Sequence, residues 1–208
     1  LPFPYPWVLE KEKKTPEKFL INSLKKFRNK FDIKKDICGV MLETFQGWGA
    51  LFYPKSYIKL LNKICKKNNI LLCFDEMQSG FGRTGKLFGY ENYDIKPDLI
   101  CCGKGMGGGV PISGVLGKKR IMDLPDTGNM SSTHSSNPLS CMAGLTVLEE
   151  IKSKNILRNT KTKSKVLFKF LNKIKSKNKN HIIHIDGRGL VAAIIFKPGE
   201  KIKDDVFV

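Results

Sequence analysis

Acidic residues are scarce in this chain: 19 Asp and Glu stand against 37 Lys and Arg in 208 residues, a net charge of +18. Arginine is scarcer still, with only Arg28, Arg83, Arg120, Arg158 and Arg188. Nucleic-acid recognition leans on arginine forks and on aromatic rings interleaved with basic groups. Here the lysines cluster without such rings, over 11–18, 25–35 and 161–179, which reads as a solvated surface. No specific nucleic-acid partner is expected. A basic, non-catalytic binding module remains as a rival, through weak attraction to polyanions. No run approaches the roughly 18 apolar residues of a membrane span. The opening Leu1-Pro2-Phe3-Pro4-Tyr5-Pro6-Trp7 lacks the basic region and apolar stretch of a signal peptide. An initiator Met is missing too, so a piece of a longer protein is expected. No C-x-x-C spacing with histidines suggests zinc. Of the six cysteines, four lie in or beside apolar runs, and adjacent Cys101 and Cys102 face opposite sides of a strand. Reduced, buried thiols in a cytoplasmic protein are expected.

The apolar content, 41%, suffices for a packed core. Residues 1–16, proline-rich and charged, read as a loop. The spacing of apolar residues predicts helices over 16–30 and from Pro54 to about Asn68. Strands are expected at 37–42, 70–75 and 98–103, each as a short buried run. Strand, helix, strand in that order argues for a parallel sheet with crossover helices. Residues 79–96 read as a glycine- and aromatic-rich loop, and residues 111–117 as a fourth strand, possibly antiparallel. A long helix is expected from Asn137-Pro138 through about Lys152, continuing over 153–180 with lysines outward. Two strands, at 182–185 and 190–196, flank a turn at Asp186-Gly187-Arg188-Gly189.

Two strand ends carry complementary charges. Ile70-Leu71-Leu72-Cys73-Phe74 runs into Asp75, and Asp98-Leu99-Ile100-Cys101-Cys102-Gly103 runs into Lys104. Ligands of open α/β sheets bind beyond the carboxyl ends of parallel strands. An acid at one end and a lysine at the next suit a pyridoxal phosphate site, the lysine holding the aldehyde as a Schiff base and the acid the ring nitrogen. Taken singly, Lys104 reads equally as a loop lysine, and Asp75 as a helix cap or a partner of Arg83. Gln78 could reach the ring's phenolic oxygen. Ser132, Thr133 and their neighbours precede a helix N-terminus, where a phosphate fits. His134 could act as a base, although no carboxylate near it in sequence orients it. Gly103-Lys104-Gly105-Met106-Gly107-Gly108 also satisfies G-x-G-x-x-G, but turn and strand residues follow where a dinucleotide site needs a helix.

The run from Asp75 to Gly85, that from Pro97 to Pro111, Glu43 to Gly49, Ser132-Thr133 through Leu139, and Gly187-Arg188-Gly189-Leu190 together closely resemble the signature of the class III pyridoxal-phosphate aminotransferases. The resemblance covers about residues 37–196. It implies an α/β fold of type I, with a mostly parallel sheet in the large domain (residues 1–150) and the start of a small α+β domain (151–208). It implies Lys104 as the Schiff-base lysine that also shuttles a proton, Asp75 at the pyridine nitrogen, Gln78 at the ring oxygen, and Ser132 and Thr133 at the phosphate. Thr133 is expected to reach the cofactor of a neighbouring subunit, hence a homodimer. The activity implied is transfer of an amino group from an amine or ω-amino acid to a keto acid such as 2-oxoglutarate. An aminomutase or racemase on the same site is the family alternative. Two positions depart from the family pattern: Thr44 stands where Pro is common, and Trp48 where an acid is common. The latter argues against an ornithine-type donor and for an apolar wall. The glycine/serine phosphate loop, the ring-stacking aromatic and the carboxylate-binding arginine of the family are not recognisable, so the chain reads as the middle of a longer enzyme.

Overall fold

A computed structural model describes residues 1–47, 49–130 and 132–197. The chain opens with a short helix, α1 (Pro6–Lys11), followed by α2 (Pro16–Arg28). The first corrects the expected loop: Pro6 takes the first helical position, where its missing N–H costs nothing. Thr15 caps α2 by accepting the Lys18 N–H at 3.3 Å, and α2 buries Phe19 and Leu20. Strand β1 (Gly39–Glu43) leads into a small hairpin of β2 (Phe45–Gln46) and β3 (Leu51–Phe52). Trp48, between them, lies outside the described residues. Helix α3 (Lys55–Lys67) buries Tyr57, Ile58, Leu61 and Cys65, one stripe of its surface. It ends at Asn68, and Asn69 adopts the left-handed conformation (φ 55°) that stops a helix.

The chain then returns through β4 (Leu71–Asp75), β5 (Leu99–Cys102) and β6 (Gly114–Gly117), with a 3-10 turn at Gly89–Tyr93 in the loop between β4 and β5. After the short α4 (Lys119–Met122) come α5 (Pro138–Ser153), α6 (Ile156–Lys177) and a hairpin of β7 (Ile182–Arg188) and β8 (Val191–Phe196). The helix expected to run unbroken past Lys152 is two helices. Asn155 sits at φ 51°, a left-handed residue that turns the chain between them. The hairpin is tighter than expected: β7 extends through Arg188, leaving Gly189 and Leu190 as the connection.

The main sheet has the order β1-β4-β5-β6. β1, β4 and β5 are parallel, with α3 as the crossover from β1 to β4, and β6 is antiparallel to β5. The strands are not buried on both faces. Leu72, Phe74 and Cys102 point into the core, while Cys73, Asp75 and Cys101 are half-buried on the opposite face beside exposed Met41 and Val115. Apolar residues on both faces made the strands read as continuous runs, but the core here lies on one side. It joins Phe45, Phe52, Tyr57, Ile58, Leu72, Phe74 and Tyr93. The β7–β8 hairpin docks on it: the Phe52 N–H donates to Asp186 Oδ2 at 3.2 Å, and the Arg188 guanidinium lies 4.8 Å above the Phe52 ring.

One buried carboxylate ties these pieces together. Glu76, fully buried, accepts four hydrogen bonds: from the hydroxyls of Thr44 and Ser79, each at 2.5 Å, and from the N–H groups of Gly89 and Tyr90, each at 2.7 Å. Tyr93 adds a second tie, donating its hydroxyl to the Thr44 carbonyl at 2.5 Å and accepting the Tyr53 N–H at 3.1 Å. Burial pushes the Tyr93 hydroxyl well above its ordinary pKa, so it stays a donor. A third tie is Asp98. Its carboxylate accepts the Leu72 N–H at 3.0 Å and the Lys118 ammonium at 2.6 Å. Burial alone would raise its pKa, but these two bonds outweigh it and hold the carboxyl below the usual range.

Glu76→Ala leaves four donors without an acceptor and is expected to cost about 3–5 kcal/mol in urea unfolding. Thr44→Val removes one donor and should cost about 1 kcal/mol. Equal losses would mean that the carboxylate is not the hub. Because the folded-state pKa of Asp98 is depressed, its contribution is present above the unfolded value of about 3.9 and is lost as pH falls through the folded value. Urea midpoints should therefore fall more steeply below about pH 4 in the native sequence than in Asp98→Asn.

Candidate active site

The parallel register brings three strand ends level. Glu43 pairs with Asp75, and Asp75 with Cys101, so β1, β4 and β5 finish together at one edge of the sheet. Lys104 follows three residues past Cys101, at the same edge. It opens a 3-10 turn over Lys104–Gly107 and has φ 41°, a left-handed conformation rare outside glycine and asparagine. Gly108 and Gly109 follow with φ of 60° and 115°, and a Cβ on Gly107 would stand 2.8 Å from Ile112. The glycines thus let the chain reverse within a few residues of the lysine and run into β6. This is why no helix follows and why the G-x-G-x-x-G spacing here is not a dinucleotide loop.

Asp75 is half-buried, and its Oδ1 accepts the Met77 N–H at 2.9 Å. Its other oxygen has no hydrogen-bond or ion-pair partner among the described residues. Arg83 is exposed and does not pair with it, so the salt bridge considered from sequence is absent; the backbone of Arg83 instead accepts the Leu190 N–H at 2.9 Å. Gln78 and Glu43 meet at Gly47, in the turn after β1: the Gly47 N–H donates to Glu43 Oε2 at 3.2 Å, and a Cβ on Gly47 would lie 2.9 Å from Gln78 Oε1. Asp75, Glu43 and Gln78 therefore form one polar rim at the ends of β1 and β4.

Lys104 is exposed and lines an open cleft of about 770 Å³ with Ser113, Ser132, His134, Ser135 and Cys141. The segment before α5 is ordered by its own hydroxyls: the Ser132 N–H donates to Ser135 Oγ at 3.0 Å, and Asn137 caps α5 by accepting the Ser140 N–H at 3.2 Å. The structure thus brings Lys104, Ser132 and His134 to one cleft. Asp75 and Gln78 do not line it; they stand on the neighbouring strand end. Thr133 does not line it either and is exposed.

Sequence reasoning missed Glu76 and the thiol pair behind Asp75. Glu76 was legible only as the second of two adjacent acids. The thiols of Cys73 and Cys101 lie 3.7 Å apart on adjacent strands. Burial, then the contact with Cys101, pushes the Cys73 thiol up to about 12. The Thr44 hydroxyl also gains a reason: it supplies Glu76 with a donor that proline lacks.

Comparison with known proteins gives a consistent picture. The family model described as aminotransferase class-III matches residues 1–207. An acetylornithine/succinyldiaminopimelate aminotransferase of Buchnera aphidicola is 38% identical over 179 residues, covering 86% of this chain and 42% of that protein. The acetylornithine aminotransferase of Clostridium acetobutylicum is also 38% identical, over 84% of this chain and 47% of its own length. Among solved structures, the ornithine delta-aminotransferase of Plasmodium falciparum superposes with a TM-score of 0.74 at 32% identity, over 85% of this chain and 46% of that one. A transaminase from the marine bacterium Virgibacillus superposes with a TM-score of 0.80 at 27% identity, over 88% and 42%. The chain spans less than half the length of each of these proteins.

Proposed function

The chain belongs to the class-III aminotransferases, and we propose that it carries the central portion of a pyridoxal-phosphate transaminase, with residues 1–150 in the large domain and 151–208 opening the smaller one. The observation that carries this reading is the shared edge: Lys104 and a half-free Asp75 carboxylate stand at the ends of adjacent parallel strands. The residues present fit the cofactor. Asp75 has one oxygen to offer a protonated ring nitrogen, and the glycine turn leaves room beside Lys104.

When bound, pyridoxal phosphate supplies an electron sink for the substrate's amine-bearing carbon. Lys104 would hold the cofactor's aldehyde and, once released, its amine would move the proton between substrate carbon and cofactor. Asp75 would keep the ring nitrogen protonated. Gln78, beside Glu43, would hydrogen-bond the ring oxygen. Ser132 and the start of α5 would serve the phosphate, through the Ser132 hydroxyl and the positive end of the helix dipole. Thr133, exposed, would serve the cofactor of a second copy. The adjoining stripe of Leu139, Met142 and Leu145 on α5, 72%, 58% and 49% exposed, supports a homodimer through this face. The donor would be an amine or ω-amino acid, the acceptor a keto acid such as 2-oxoglutarate, and the compartment the cytoplasm. No helix of the described residues is long and apolar enough to cross a membrane.

In the full-length protein, borohydride reduction with the cofactor bound should fix a pyridoxyl group on Lys104, read by peptide mass spectrometry. A label on another lysine overturns the assignment. Lys104→Ala should abolish amino transfer while the protein stays folded. Asp75→Asn should slow turnover by about 100-fold or more, the scale of losing one preorganised electrostatic group; near-normal turnover would remove Asp75 from the site.

A further inference from the structure

Among the described residues, Phe81 is the one aromatic with a positive φ, 55°. A bulky residue is rare in that left-handed region, because its Cβ crowds a backbone carbonyl. Such a conformation persists only where the surroundings over-determine it. Here both flanks are pinned. The Gly80 N–H donates to the Glu76 carbonyl at 2.9 Å, and the Gly82 N–H to the Leu87 carbonyl at 3.3 Å. A Cβ on Gly80 would stand 2.9 Å from the same Glu76 oxygen, and one on Gly82 would stand 3.2 Å from Leu157 of α6.

The residues that follow are held by the connection between β7 and β8. The Arg83 carbonyl accepts the Leu190 N–H at 2.9 Å. A Cβ on Gly189 would stand 2.3 Å from that carbonyl oxygen and 2.5 Å from the Thr84 carbonyl carbon, so the two segments lie backbone against backbone. The Thr84 hydroxyl accepts the Asn92 amide at 3.2 Å, which ties this stretch to the 3-10 turn that Glu76 anchors. The loop after β4 is thus clamped between Glu76 on one side and the 156–190 segment on the other.

The clamp sets Phe81 over the lysine turn. A Cβ on Gly105 would stand 3.4 Å from Phe81 Cβ and 4.0 Å from its Cγ. The Phe81 ring is backed edge-to-face by Phe88, with centroids 5.8 Å apart. Phe88 in turn stacks on Tyr90 at 6.1 Å, whose N–H Glu76 accepts. Gly105 directly follows Lys104, itself left-handed at φ 41°. Two strained residues on two different turns therefore meet one position apart, and each turn buttresses the other. We propose that Phe81 is a positioning residue for Lys104. Its Cβ and Cγ cover Gly105 and keep the turn from relaxing into a right-handed one, so the lysine leaves β5 at the edge it shares with Asp75. Phe81 acts through the turn and takes no part in moving the proton. Its catalytic meaning rests on the reading of Lys104 as the cofactor lysine; the contact itself does not.

The test is hydrogen–deuterium exchange of the full-length protein without cofactor, read by mass spectrometry on a peptide covering residues 103–109. Glycine adopts the left-handed conformation without strain, so Phe81→Gly removes the side chain and keeps the path of the loop. It should speed exchange over 103–109 by about tenfold and leave the ladder between β1 and β4 unchanged. Phe81→Leu keeps Cβ and Cγ, the atoms that face Gly105, and should restore native exchange. Native exchange over 103–109 in Phe81→Gly overturns the proposal, as does a leucine variant that restores nothing. Loosening spread evenly over 39–43, 71–75 and 103–109 overturns it too, since that marks a merely structural role. Should Phe81→Gly fail to fold, Phe81→Ala, which keeps Cβ alone, takes its place with the same expected and overturning results. The cofactor reading is judged apart from this, by the borohydride label on Lys104. A label on another lysine removes that reading, whereas exchange needs no cofactor and decides the contact alone.

Discussion

The structure depends on where one negative charge is hidden. Glu76 turns inward at the end of β4 and meets four donors from three places: Thr44 after β1, Ser79 in the next turn, and Gly89 and Tyr90 in the distant 3-10 turn. A carboxylate so placed is tolerable only with its lone pairs taken up. That requirement locks the loop from β4 to β5 against the end of β1. Its neighbour Asp75 turns the other way, half in solvent, with one oxygen committed to the Met77 N–H. Two adjacent acids thus divide the labour: one anchors the loop, and the other is left chemically available at the edge that the anchor holds still.

The register extends this order sideways. Because β1, β4 and β5 run parallel and finish level, whatever follows each strand emerges at one edge: the Glu43–Gly47 turn, the Asp75–Gln78 turn and the Lys104 turn. An antiparallel neighbour would have sent one of these to the far side. β6 does run antiparallel, but only after the glycine-rich reversal has delivered Lys104 to the shared edge.

How much of this was legible in the sequence depends on whether the signal was local. The apolar runs ending in Asp75 and Lys104 announce strands and their exits, and Val-Pro-Ile after the glycines announces a strand rather than a helix. Glu76 was not legible, because its partners lie as far as 32 residues away and alternation does not say which of two adjacent acids faces inward. The break between α5 and α6 was hidden by a lysine-rich stretch that favours helix on average, while one left-handed Asn155 decides the geometry. The short α1 was masked by prolines that usually mark loops. Ser132 and Thr133 were read as a pair, yet of the two only Ser132 lines the Lys104 cleft.

The outermost strands have a colloidal consequence. Among the described residues, β1 and β6 each leave one ladder of N–H and C=O groups without a strand beside it, and such ladders invite pairing with another copy. A net charge of +18 opposes that approach. The opposition is long-range and fades as the Debye length shrinks from about 30 Å at 0.01 M salt to about 3 Å at 1 M, whereas ladder bonding is short-range and persists. Preparations of this polypeptide should therefore stay clear in dilute buffer and turn cloudy as salt rises, the reverse of ordinary salting-in.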